Sequence, residues 1–245
     1  ITNRNNMTLQ RQLLTSKHNT IDIVSEDEHA QAHFDNRANF ADIVLNQINT
    51  DRFYDDILDG EDDLTILDVG GNIGLFSLYA HDKSKAIYPV EPTPGHFHIL
   101  KDLTKNYPNI HPINIALHNE DTTIDFYISE ENSTMNSSVN KYGTKVEVQA
   151  RTLATLIKEL DLEHVDFVKC DIEGSEMAAL TDETVGAVKD IVDAWFIEVH
   201  ATDNETLKGI DSLRHNRGQL IEIFERQGYS TQILREDSLY IYKDE

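Results

Sequence analysis

"ILDVGGNIGLFSLYA" runs from Ile66 to Ala80, and its reading decides the fold. Ile66–Val69 is an apolar, strand-like run, and Leu75–Ala80 is an apolar, helix-like run. Between them stand Gly70, Gly71, Asn72 and Gly74. Glycine permits positive φ and removes the Cβ that would keep a ligand away, so this break predicts a turn with something lying against its backbone.

Outward from that turn the chain alternates. Strand signals fall at 64–69, 86–90, 110–115, 164–170 and 191–199. Helical signals fall between them at 75–81, 95–107, 153–160 and 175–180, with Phe97, Leu100, Leu103 and Tyr107 on one face of the second. Such alternation predicts a mostly parallel sheet with helices on both sides. The runs 122–128 and 145–149 alternate like half-exposed strands. They flank the polar stretch 129–142, which is too long for a hairpin turn and reads as a lid over an acceptor. After Val199 come one or two helices, with Asn216-Arg217-Gly218 as a possible break, and then a closing hairpin formed by 229–234 and 238–242.

The front of the chain differs. Residues 1–63 are polar, with Phe40, Ile43, Val44 and Ile48 at helical spacing, and end in an acidic run over 51–63. The expected division is an N-terminal helical extension at 1–63 and a catalytic domain at 64–245.

Composition excludes several classes. Lys and Arg number 21 against 44 Asp and Glu, a formal net charge of -23, and the basic residues are scattered. That field repels polyanions, so nucleic acid is not an expected partner. No apolar run approaches the ~20 residues of a membrane span, and the first residues have no signal-peptide h-region. A single cysteine, Cys170, permits no internal disulfide and reads as a core residue. A reducing, cytoplasmic location is the expectation.

In open α/β sheets ligands bind beyond the carboxyl ends of the strands. The Gly70–Gly74 turn lies at such an end. Glu91 ends the next strand, where a carboxylate can accept both hydroxyls of a ribose. The ligand therefore reads as an adenosine-containing cofactor. A dinucleotide needs G-x-G-x-x-G; the third glycine would fall on Leu75 or Phe76. The sequence instead carries Asp68, Gly70, Asn72 and Gly74 as D-x-G-x-N-x-G. A carboxylate aimed at the turn suits a sulfonium or ammonium cation, which points to S-adenosylmethionine (SAM) over NAD. The expected cofactor-binding set is Asp68, Gly70, Gly71, Asn72, Gly74 and Glu91, with Asn114 and Ala116 for the adenine.

These stretches resemble class I SAM-dependent methyltransferases, the FkbM-like family in particular. "ILDVGGNIG" resembles motif I, "YPVEPTPGHFHIL" the second motif and "INIALHNED" the third-strand segment. "RTLATLIKELDLEHVDFVKCDIEGSEMAAL" is similar to the family's distinctive block ending in D-x-E-G-x-E, and "WFIEVH" resembles its fifth strand. The likeness runs from about residue 64 to 243. It implies a Rossmann-like class I methyltransferase fold with a mostly parallel seven-stranded sheet, an antiparallel C-terminal hairpin, and added N-terminal helices. It also implies O-methyl transfer to a sugar, glycan or other small hydroxylated acceptor.

Methyl transfer from a sulfonium is an in-line displacement dominated by alignment. An alcohol acceptor also needs a base for its proton. Asp171 and Glu173 follow the fourth strand, and Glu198 and His200 end the fifth; these four are the catalytic candidates. His200 is the better-tuned base, because an unperturbed imidazole titrates near neutrality, and Asp171 is the alternative base. Glu176 reads as a helix-terminus acid. Asp171, Glu173, Glu198 and His200 show no tight metal-ligand spacing, so no metal is assigned; His29 and His33 read as surface residues. A SAM-binding protein without transferase activity and an NAD-dependent oxidoreductase are the alternatives.

Overall fold

Five of the strand signals lie in apolar runs with few polar breaks, the mark of strands buried on both faces. In the computed structural model, which describes residues 11–15, 20–24, 53–128, 138 and 143–244, four of them form the parallel part of one sheet. These are β3 (Leu64–Val69), β4 (Ser84–Val90), β8 (Val165–Cys170) and β9 (Val192–Glu198). The sheet order is β10-β11-β9-β8-β3-β4, where β10 (Ser230–Arg235) and β11 (Ser238–Tyr242) form the closing hairpin. β4–β3, β3–β8 and β8–β9 pair in parallel, and β11 runs antiparallel to both β9 and β10. The strand order reverses between β3 and β8, so the switch point falls beside the Gly70 turn.

The resemblance implied seven strands; the sheet has six. The expected strand 110–115 runs beside β4 but is reduced to two isolated parallel bridges, Ile87 to Ile110 and Val90 to Ile113. Pro112 lies between them. It has no N–H to extend a ladder, which confines such a residue to an edge. The other two strand signals form a separate three-stranded sheet. It contains β5 (Ala116–Leu117), β7 (Thr144–Arg151) and β6 (Thr122–Ile128), in that order.

Alternation along each strand sends neighbours to opposite faces. Ile66, Phe167 and Phe196 join one core cluster with α1 (Phe53–Leu58) and α2 (Leu75–Ala80). Leu67, Val168, Trp195 and Ile197 join the other, against the long helix α7 (Gly209–Arg226) through Leu220 and Phe224. Removing one such fully buried side chain to alanine costs ~2–5 kcal/mol. Cys170 lies fully buried in the second cluster, as expected.

Three further expectations change. The front segment is not helical throughout: β1 (Arg11–Thr15) and β2 (Thr20–Val24) pair antiparallel, and α1 is the helix among its described residues. Thr20-Ile21-Asp22-Ile23-Val24 is β-branched at four of five positions, which favours a pleated strand. The positions at 40–48, His29 and His33 lie outside the described residues, as does the stretch 129–142 except Ser138. α7 is unbroken across Asn216-Arg217-Gly218, because Asn216 is buried and its amide bonds the His200 carbonyl and Thr202 Oγ1. The buried face of α3 (Pro94–Thr104) is His96, Ile99, Leu100, Leu103 and Thr104, with Phe97 only half-buried. No helix among the described residues is long and apolar enough to cross a membrane.

Candidate active site

The turn after β3 is built by close approach. Gly70 has φ +82, and a Cβ there would lie 1.7 Å from the backbone oxygen of Asp171. Gly74, the N-cap of α2, has φ +92, and its Cβ would lie 2.6 Å from Leu100 Cδ1. Both positions demand glycine for conformation and for space. Asp171 N–H donates to the Val69 carbonyl, so the ends of β3 and β8 touch at this point.

A cleft open to solvent lies there. Its lining includes Gly70, Asn72, Glu91 and Asp171 together with the apolar Ile115, Ala116, Leu117 and Phe126. Glu91 is buried. Its Oε2 accepts the Asn72 N–H at 3.0 Å and its Oε1 accepts the Thr93 N–H at 2.7 Å. His96 Nδ1 stands 3.8 Å from Oε1. Burial raises the Glu91 pKa to about 7, against the lowering effect of those N–H groups. Each carboxylate oxygen keeps a lone pair for a further donor. Asn114 is placed differently from Ala116: its side-chain amide donates to the carbonyls of Glu91 and Pro92, tying the strand ends together. Gly71 carries no lining surface, and its Cβ would meet Pro89 at 2.8 Å.

On the other side stands a row of charge. Lys169, in register with Asp68 on β3 and Phe196 on β9, is buried among acids. Its Nζ lies 3.2 Å from the Gly70 carbonyl, 3.3 Å from Asp171 Oδ2 and 3.6 Å from Asp68 Oδ1. Burial favours the neutral amine, but Asp171 and Asp68 together outweigh it and hold the ammonium protonated. Asp68 is fully buried; burial raises its pKa, and Lys169 and the Ser77 hydroxyl at 2.7 Å oppose the rise. Tyr54 of α1 packs on Phe76 and Phe196, with ring centroids 4.7 and 5.1 Å away. Burial pushes its phenol pKa up, Lys169 opposes the rise, and Asp171, Glu198 and Asp68 add to it.

The four catalytic candidates come together, with Asp171 and Glu173 lining the cleft. The last acid of D-x-E-G-x-E organises them. Glu176 Oε1 accepts from the N–H groups of Ile172 and Gly174, both at 3.2 Å, and from His200 Nδ1 at 2.9 Å. It thereby holds the loop in which Glu173 adopts φ 54, a left-handed conformation that side chains avoid. His200 Nε2 faces Glu173 at 3.4 Å and Asp171 at 3.9 Å. Burial lowers the imidazole pKa, but Glu176, Asp171 and Glu173 outweigh it and raise it to about 10. The surrounding acids thus favour the imidazolium at neutral pH, which weighs toward the carboxylates over His200 as the base. Burial and Asp171 raise Glu173 to about 8 and Glu198 to about 7. Ser138 Oγ sits 2.8 Å from Ser175 Oγ at the rim.

Asp171, Glu173 and His200 each offer a metal-ligand atom within 4.8 Å of the others, as do His164, Asp166 and Asp193 at the opposite strand ends. In the second group Lys243 Nζ lies 2.9 Å from Asp193 Oδ1.

The fit to SAM rests on orphaned atoms as well as shape. Asn72 Oδ1 lines the cleft and is buried without a hydrogen-bond partner among the described residues, while Asp68 Oδ1 behind it faces Lys169 Nζ at 3.6 Å. Asn72 suits an ammonium, as Glu91 suits a ribose and the apolar lining an adenine. Fold and cleft together have the form of an α/β domain of the SAM-dependent methyltransferase class. Residues 68–231 match the family model described as the Methyltransferase FkbM domain, and the chain belongs to that family. "Methyltransferase 1" of Beauveria bassiana (strain ARSEF 2860) is 27% identical over 166 residues, 57% of this chain and 66% of that protein, so less than two thirds of the relative's length is spanned. Among solved structures, the Methanococcus jannaschii fibrillarin pre-rRNA processing protein is 14% identical with a TM-score of 0.47, covering 75% of this chain and 67% of that one. Precorrin-6y C5,15-methyltransferase from Geobacter metallireducens is 14% identical with a TM-score of 0.43, covering 76% and 83%.

Sequence reasoning missed Lys169, Tyr54 and the organising role of Glu176. Lys169 sits inside an apolar strand with acids on either side in space, and a charged residue in such a run was the signal available.

Proposed function

We propose that this methyltransferase acts on oxygen, moving a methyl group to a hydroxyl of a sugar, glycan or other small hydroxylated metabolite. The observation that carries the reading is the carboxylate group Asp171, Glu173 and Glu198 beside the cofactor turn, where two members have pKa values of about 8 and 7. A neutral hydroxyl must lose its proton as it attacks, and a base works best when its pKa is near the working pH. Asp171 and Glu173 line the cleft and are placed to take that proton, with Glu198 as the acid able to share it. The His200 cation orients Glu173 and Asp171. SAM supplies an activated methyl on a sulfonium, so the protein's part is alignment, proton removal and exclusion of water.

The acceptor is read as a small molecule or glycan, with no nucleic-acid or membrane partner, in a cytoplasmic setting. The net charge of -23 supports this. Residues 1–63 are read as a unit covering the acceptor side of the catalytic domain at 64–245, with α1 joined to that domain's core through Tyr54 and Phe196. The test is a methyl-transfer screen against glycans and hydroxylated metabolites with mass spectrometry of products. Products methylated on nitrogen or carbon would overturn the oxygen assignment. Tight SAM binding with no product from any acceptor class would favour a non-catalytic SAM-binding protein.

A further inference from the structure

Burying a lysine among apolar strands costs several kcal/mol unless strong partners repay it. Lys169 is buried on the sheet face whose next inward residue is the core Phe167. Packing alone would be served there by Met or Leu. Its ammonium instead meets three groups from two strand ends: the Gly70 carbonyl, Asp68 and Asp171. Gly70 belongs to the cofactor turn, Asp68 to the strand that delivers it, and Asp171 to the acceptor-side loop. The charged or titratable groups around the ammonium are Asp68 from β3, Asp171 beyond β8, Glu198 from β9 and Tyr54 from α1. Glu91 feels the same charge more weakly, from the end of β4.

We propose that Lys169 is a positioning residue for methyl transfer, its buried ammonium tying the cofactor turn, Asp68 and Asp171 into one unit. The cofactor half of this statement stands on the SAM site itself. The Asp171 half rests on the proposed role of that carboxylate. In-line transfer tolerates little misalignment, and a shared cation keeps the carboxylate and the turn in register when either is pushed. The cation also offsets the burial that otherwise favours the neutral acid at Asp68.

The test uses S-adenosylhomocysteine binding by calorimetry between about pH 6 and 9, so it needs no acceptor and cannot fail merely because the acceptor class is wrong. Wild type, Lys169→Arg, Lys169→Gln and Lys169→Met are compared. In wild type the affinity improves with pH through the Glu91 transition. In the Gln and Met variants Asp68 loses its cation and titrates alongside Glu91, so the apparent midpoint, then set by both carboxyls, should move up by about one pH unit or more. Affinity at the top of the range should return to within about tenfold of wild type, and Lys169→Arg should keep the wild-type midpoint. Gln retains a donor for the Gly70 carbonyl, so a Gln variant with the wild-type profile would overturn the charge-based role. A Met variant with an unshifted midpoint would do the same. Should the neutral variants unfold near neutrality, urea unfolding at about pH 5.5 and 8.5 decides. A destabilisation larger at the higher pH supports the proposal, and an equal one overturns it.

Discussion

Glu91→Gln separates binding from stability at one atom pair. The carboxyl is buried, and burial raises its pKa from 4.5 to about 7. A carboxyl whose folded-state pKa lies above its unfolded value binds its proton more tightly when folded. Stability is then full below about pH 4.5 and falls as pH rises to about 7. The difference of roughly 2.5 units, at 1.36 kcal/mol each, makes ionised Glu91 cost about 3 kcal/mol of folding free energy above pH 7. Glutamine cannot ionise, so the stability of wild type relative to Glu91→Gln should drop by about 3 kcal/mol between pH 4.5 and 8. Any mismatch between the glutamine NH2 and the N–H groups of Asn72 and Thr93 is independent of pH and cancels from that comparison. SAM affinity at pH 8 should move the other way. Losing a charge-assisted acceptor for the ribose costs ~1.5–3 kcal/mol, or roughly 10- to 150-fold in Kd. Urea unfolding over the pH range and calorimetry with SAM read the two effects. A stability difference that does not vary with pH would refute the burial argument; unchanged SAM affinity would refute the ribose assignment.

Turnover should rise with pH through about 7 to 8, as Glu198 and Glu173 lose protons, and should show no step near pH 6.5 from His200; a pH–rate profile with any accepted substrate checks this. His200→Gln should destabilise the fold at pH 7, because a raised imidazole pKa gives stability that is complete below pH 6.5 and is lost as pH passes about 10. Urea melts at pH 7 and 10.5 should show that penalty shrinking. Gly70→Ala should abolish SAM binding and cost at least ~1–3 kcal/mol, since it combines a strained φ with a clash on Asp171. Gly218→Ala, in open space on α7, should instead stabilise by ~0.5–1 kcal/mol, and thermal melts compare the two. Asn216→Ala should lose ~1–3 kcal/mol by leaving the His200 carbonyl without its donor, and should lower turnover while SAM affinity holds.

The sequence by itself determined the fold class and the cofactor turn. Both are local: apolar runs of strand length, helical spacing between them, and four turn residues whose backbone chemistry needs no distant partner. It also brought forward Asp171, Glu173, Glu198 and His200, because strand ends in an α/β sheet are countable. It did not reveal that Ile110–Ile113 would be an edge held by two bridges, since the pairing of one strand with another is set by the whole sheet. Nor did it reveal that Asn216 would carry a helix through Arg217 and Gly218, because the carbonyl it serves arrives from the end of β9. The largest gap concerns charge. Alone, His200 titrates near neutrality and Lys169 is an anomaly in a strand. Only the tertiary structure places Glu176, Glu173 and Asp171 around the imidazole, and Asp68 and Asp171 around the ammonium. Electrostatic energy depends on distance through space and on burial, neither of which is written along the chain, so the protonation states that govern this site were decided by packing.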